Sequence, residues 1–221
     1  GLRGSLREIY SQQENWPVLA AVQVEDFVRR PCRQTFEGCK NAASKARAWQ
    51  TVRQALLQYL EKGEPPWEQK GWPLPNSGLE VPKTERKQRF PMIPALIEIA
   101  LFEADPERVL YWYDRLPKSK YGRPGVDDNK VAEALKTHAP DRAVSIWQQK
   151  AEQLIAQVKP KAYQQAGRYL RKAAGVMKKQ GKQKEWQKYL QNLRENHARK
   201  TQLMEVLDSL EGVPVIKKQG R

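Results

Sequence analysis

Along this chain apolar residues return at steps of three and four, separated by charged and amide side chains, which is the pattern of helices with one buried stripe. Trp16 leads Val18, Leu19, Val22 and Phe27, and Trp49, 33 residues later, leads Val52, Leu56, Tyr59 and Leu60. Pro106 and Pro140 stand 34 apart, and what surrounds them matches: Glu107-Arg108-Val109-Leu110 falls over Asp141-Arg142-Ala143-Val144, and Ala100-Leu101 over Ala134-Leu135. A period of 33 to 34 residues is that of stacked helix–turn–helix units. Proline suits each start, because the first helical turn needs no N–H from it, and Asp105 before Pro106 is a natural N-cap. The pattern predicts an all-α chain of about five antiparallel pairs: 5–13 with 16–29, 32–45 with 48–61, 92–103 with 106–116, 127–138 with 140–158, and 161–179 with 183–210. Their stacking predicts a right-handed, tetratricopeptide-like superhelix. Alternating β-branched runs bounded by turns are missing, so no strand is expected.

The repeat is interrupted. Trp49 and Pro106 are 57 residues apart, one period plus an insertion, and the stretch between them carries Pro65, Pro66, Pro73, Pro75, Pro82 and Pro91. Segment 62–91 cannot be helical throughout. Its Trp67, Trp72, Leu74 and Leu79 predict that it packs back on the helices, and a loop of this length often serves a partner. The organisation expected is therefore 1–61, the 62–91 insertion, and 92–221 as the rest of one continuous solenoid. A shorter loop, Lys118 to Gly125, carries the turn residues Gly122-Arg123-Pro124-Gly125. The chain opens on Gly1-Leu2-Arg3-Gly4 without a methionine, which predicts a piece of a longer protein.

Composition sharpens this picture. Only 39% of the 221 residues are hydrophobic and mean hydropathy is −0.81, too polar for a compact globule and suited to an array with more surface per residue. No apolar run approaches the ~20 residues that span a bilayer, so a soluble, cytoplasmic protein without a membrane partner is expected. The formal charge of +15 is unevenly placed: Lys159 to Lys200 holds thirteen Lys or Arg against Glu185 and Glu195. Within 161–179, Ala162, Ala166, Tyr169, Leu170, Ala173, Val176 and Met177 form the apolar stripe. Lys161, Arg168, Lys172 and Lys179 then line up on another face, flanked by Arg171 and Lys178. Lys184, Lys188, Arg194, Arg199 and Lys200 add to it from the following helix. Such a face fits a phosphate backbone, an acidic protein surface, or the plain need of an end repeat to stay in water. Trp186 and Tyr189 are expected in the core, not on this face.

Several stretches together resemble a known family. They are Phe27 through Leu60 with Arg30-Pro31, Phe36 and Trp49-Gln50-Thr51-Val52-Arg53; Trp72-Pro73-Leu74-Pro75; Leu96-Ile97-Glu98-Ile99-Ala100; Val109 through Leu116; and Tyr169-Leu170, Trp186 through Leu190, Leu193-Arg194 and His197-Ala198-Arg199-Lys200. From about residue 25 onward the chain resembles the C-terminal helical region of bacterial SWIM zinc-finger proteins. The resemblance implies a scaffold for a protein partner beside a finger that binds DNA or protein. That finger reads C-x-C and then C-x-H, a pattern neither cysteine here fits, so no zinc ligand carries over.

Catalytic chemistry is not expected. Cys32 and Cys39 are seven residues apart, ~10 Å along a helix axis at ~1.5 Å per residue, beyond the ~7 Å a disulfide allows and too far for a shared zinc. They read as small buried hydrophobes in a reducing compartment. His138 is placed at a helix C-terminus and His197 on the seam of Trp186, Leu190, Leu193, Met204 and Leu207, as a packing residue. No phosphate-binding, dinucleotide-binding, zinc-protease or nucleophile-elbow motif occurs. Asp127-Asp128 reads as a helix N-cap. The expectation is a protein with no cofactor, working by binding: a protein-interaction scaffold first, a nucleic-acid module through 159–200 second.

Overall fold

The structure, a computed structural model, describes residues 2–79, 89–117 and 125–211; Pro82 and the turn residues 122–124 lie outside them. The described residues form helices and one short 3-10 turn, with no strand among them. The chain forms two compact units, Gly1–Leu116 and Pro117–Arg221.

The first unit holds α1 (Leu2–Gln12), α2 (Trp16–Arg29), α3 (Arg33–Lys45), α4 (Trp49–Lys62), α5 (Ile93–Phe102) and α6 (Pro106–Arg115). Each helix packs on the next, and α5, entering after the insertion, packs on both α3 and α4. Phe36 of α3 is the aromatic hub, fully buried, with ring centroids 6.0 Å from Phe27, 5.3 Å from Trp49 and 6.2 Å from Phe102. Such pairs contribute about 0.5–1.5 kcal/mol each beyond the area they bury. Cys39 is buried nearby and Cys32 caps α3 from outside the helix; both thiols are free.

The period seen in the sequence reappears as one turn used three times. Glu14, Arg47 and Ala104 sit in the left-handed region, with φ of 53°, 55° and 54°. In each case the next amide reaches back five residues: Asn15 to the Tyr10 carbonyl at 2.9 Å, Ala48 to Ala43 at 2.9 Å, Asp105 to Ala100 at 3.0 Å. This is the Schellman closure. The same residue is then the N-cap of the following helix, so helix end and helix start share one residue and the hairpin is as short as it can be. At Asp105 the carboxylate also accepts from the Arg108 amide at 3.0 Å.

Residues 63–79 of the insertion fold back as expected. Gly63 ends α4 in the left-handed region, with φ 83°. Pro66–Glu68 makes a 3-10 turn against α4. Leu74 is buried, and Trp67, Trp72 and Leu79 are half-buried. Ser77 is buried as well, donating its hydroxyl to the buried Glu25 of α2. Glu25 also meets Arg3 of α1 at 3.0 Å, and Arg3 meets Asp26 at 3.1 Å, so one polar knot joins α1, α2 and the insertion.

The second unit holds α7 (Asp128–Leu135), α8 (Pro140–Ile155), α9 (Pro160–Lys179), α10 (Gln183–His197) and α11 (Thr201–Glu211). Its centre is α9, which packs on α8, α10 and α11. The Schellman turn occurs again before α10, with Gly181 at φ 73° and the Lys182 amide 2.9 Å from the Met177 carbonyl. It does not occur before Pro140, where the Ala139 amide reaches only four residues back, to Leu135; the match around Pro106 and Pro140 is therefore one of helix starts and not of turns.

The single helix expected over 183–210 is two. The chain turns after His197, and α11 folds back on α9, burying Leu203, Val206 and Leu207 against Tyr163, Ala166 and Leu170. A straight continuation would have left these side chains in water. Gly167 makes the approach possible: a Cβ there would lie 2.6 Å from Val206 Cγ1. The last element is thus a three-helix group, not a pair. No described helix is long and apolar enough to cross a membrane.

Candidate nucleic-acid interface

Helix α9 presents two faces with opposite chemistry. Ala162, Tyr163, Ala166, Gly167, Leu170, Ala173 and Met177 are buried; Tyr169 and Val176, expected in the same stripe, are half-buried at its edge. Opposite them lie Lys161, Arg168, Arg171, Lys178 and Lys179, all exposed, with Lys172 half-buried. In its twenty residues α9 has no carboxylate. Lys161, Arg168 and Lys179 keep to one line down the helix, about 27 Å from end to end at 1.5 Å per residue. Gln164, Gln165 and Gly175 complete this exposed surface. Lys184 and Lys188 form a shorter exposed row on α10.

These cations are not equivalent. Lys161, Arg168, Lys178, Lys179, Lys184 and Lys188 form no ion pair with any described residue, leaving their charge to the solvent. Lys172 is engaged: its Nζ lies 2.8 Å from Glu133 Oε1 and 2.8 Å from Asn129 Oδ1, both of α7, and 5.8 Å from the centre of the Trp147 ring. Hydrogen bonding from Lys172 holds the Glu133 carboxyl below its ordinary range. The sequence places Lys172 in the basic row correctly, but its ammonium braces α9 to α7. Arg171 donates to the Ser209 hydroxyl of α11 at 3.1 Å. Lys182, at the start of α10, meets Asp141 of α8 at 2.6 Å, and Arg194 meets Asp208 at 2.6 Å.

The aromatic pair expected in the core sits at its rim. Trp186 and Tyr189 are half-buried against the apolar cluster, ring centroids 5.7 Å apart. The Tyr189 hydroxyl donates to Glu152 at 2.9 Å; burial and the Glu152 charge push its phenol upward, so it stays neutral. His197 is half-buried and its pKa is lowered by burial first and by Lys200 second. His138 lies exposed in the turn beyond the end of α7, not on the helix.

Other chemistry is sparse among the described residues. No group of three His, Cys, Asp or Glu is placed to hold a metal ion. Burial pushes the Cys39 thiol well up, away from the thiolate that reactivity needs. In the first unit, grooves of 440 Å³ and 520 Å³ run beside α4 and share Thr51, Gln54 and Gln58. Arg53 and Arg108 edge the larger one, both joined to Glu103, at 2.5 Å and 2.9 Å. Three large hydrophobic residues are exposed among those described, Ile9, Tyr111 and Val158.

The chain matches no protein-family model, no curated protein and no solved structure.

Proposed function

We propose that the second unit binds the phosphate backbone of a nucleic-acid duplex through the exposed face of α9, assisted by Lys184 and Lys188 of α10, without catalysis. The observation that carries this is a 20-residue helix whose solvent face holds five exposed cations and no acid. A surface that only needed to stay wet would mix both signs, as the rest of the chain does. Phosphate contacts of this kind position a protein on a duplex without reading sequence, and Gln164 and Gln165 are the side chains able to reach a base edge. Stacking on single strands would call for exposed aromatics beside the cations; Trp186 and Tyr189 are turned to the core rim instead. The test is duplex binding by fluorescence anisotropy with the full chain and with Lys161→Glu, Arg168→Glu and Lys179→Glu combined. These three are exposed and unpaired, so the variant should fold normally and lose binding. Equal binding by the variant rejects the interface.

A second reading concerns the first unit. Its hairpins support a tetratricopeptide-like stacking that presents α4 and the returning insertion to a protein partner. The favouring observation is the polar groove beside α4, where Gln50, Gln54 and Gln58 offer amides at successive turns. In a SWIM-type protein this would be the scaffold half, beside a zinc finger outside this chain. Capture of a protein that is lost with Gln54→Arg plus Gln58→Arg supports it, and capture indifferent to both changes removes it.

A further inference from the structure

Gly175 is the anomaly of α9. Glycine is the least favourable residue after proline inside a helix, and Gly175 has no local reason to be there: it is exposed, its backbone is helical, and a Cβ would meet nothing within 4 Å. Gly167, in the same helix, shows what a packing glycine looks like, pressed against Val206. Residues three and four positions away are the surface neighbours on a helix. For Gly175 these are Arg171, Lys172, Lys178 and Lys179, cations at all four corners. The seven-residue step from Lys161 to Arg168 also arrives at Gly175, so the row of cations opens there into a bare patch of backbone ringed by positive charge. A second copy of this face, or any cationic partner, would be repelled from it. What fits is an anion that must come close to the helix axis.

We propose that one phosphate group of the duplex backbone seats directly on α9 over Gly175, between Arg171, Lys178 and Lys179, with Lys172 forming the fourth wall. This rests on the reading of α9 as a nucleic-acid interface and adds where the closest approach occurs. Arg171, steadied by Ser209, presents a guanidinium able to make two parallel bonds to phosphate oxygens. Lys178 and Lys179 supply mobile point charges. Lys172 is anchored to Glu133 and Asn129, and shapes the notch more than it charges it. Glycine lets the phosphate settle between the four side chains; any side chain there would hold it away and lengthen every contact.

The test compares the 221-residue chain with Gly175→Ala and Gly175→Leu, using a fluorescein-labelled duplex of about 20 base pairs across a sodium chloride series, with thermal melts alongside. Alanine and leucine are better helix formers, so both variants should melt at or above wild type, alanine by about 2–4 °C. Binding should move the opposite way. Leucine should weaken it about tenfold, the scale of one charge-assisted contact, with a salt slope shallower by about one, and alanine should weaken it in the same direction. More stable variants that bind with wild-type affinity and slope would overturn the seat while leaving the interface intact. Should leucine disturb the helix by circular dichroism, the alanine variant decides alone. Wild type that ignores the duplex defeats the interface itself, and polyglutamate competing charge for charge assigns the face to an acidic protein instead.

Discussion

Replacing Ala104 with glycine should make the protein more stable, against the usual direction for such a change. Ala104 holds φ 54°, where an L-residue's Cβ crowds the following carbonyl at a cost of about 1–2 kcal/mol. Glycine removes that crowding but brings about 0.5–1 kcal/mol of additional freedom to the unfolded chain. Ala104 is exposed, so its methyl leaves no cavity, and the amide bonds of the turn are backbone and survive. The balance is a gain of about 0.5–1 kcal/mol, or roughly 2–5 °C in the melting of a unit this size. Arg47→Gly should behave alike. Gly181→Ala, in the same turn before α10, should lose about as much as Ala104→Gly gains. Val158→Gly should gain at least as much, since a β-branched residue at φ 54° is the more crowded. Urea denaturation followed by circular dichroism measures all four, with Gln54→Gly in the exposed middle of α4 as the ordinary control, expected to lose about 0.5–1 kcal/mol. If Ala104→Gly is as damaging as that control, Ala104 is not left-handed in solution, and the shared turn that underlies the repeat is wrong.

Three other outcomes follow from the packing. Gly167→Ala should destabilise by about 1–3 kcal/mol, the usual range for overpacking, by driving Val206 off α9; the shorter Val206→Ala should partly rescue it in a double-mutant cycle. Phe36→Ala should cost about 3–5 kcal/mol in chemical denaturation, because three aromatic neighbours lose their partner at once. For His197, burial lowers the folded pKa below the unfolded value near 6.5, so the unfolded chain takes up the proton first; stability should fall as pH drops below about 6.5, and His197→Gln should flatten that part of the profile.

How much of this was legible in the sequence follows from the physics of each signal. Helices α2, α4, α6 and α8 begin where Trp16, Trp49, Pro106 and Pro140 place them, because an apolar stripe and an N-terminal proline are local properties. The Schellman turns of the first unit were not legible, since their left-handed residues are Glu14, Arg47 and Ala104 where a glycine, as at Gly181, would have given the signal. The break between α10 and α11 was missed for the same reason: Ala198-Arg199-Lys200 contains neither glycine nor proline, and the apolar spacing runs on through it. What ends the helix is tertiary, the burial of Leu203, Val206 and Leu207 on α9. The basic row was legible because seven-residue spacing returns to the same side of a helix. That Lys172 is bound to Glu133 and Asn129 was not, because α7 lies some forty residues earlier and no periodicity links them. The knot of Arg3, Glu25 and Ser77 is likewise a contact across the fold, and no local pattern in the sequence links the three.

The account is tested most directly by the slope of log Kd against log salt concentration for the full chain on duplex DNA. Six unpaired cations on α9 and α10, each releasing a counterion from a neutralised phosphate, predict that Kd rises with salt with a slope approaching about +5. Affinity that is absent at low salt, or that stays flat as salt rises, would contradict the claim that this acid-free helix face exists to hold a phosphate backbone.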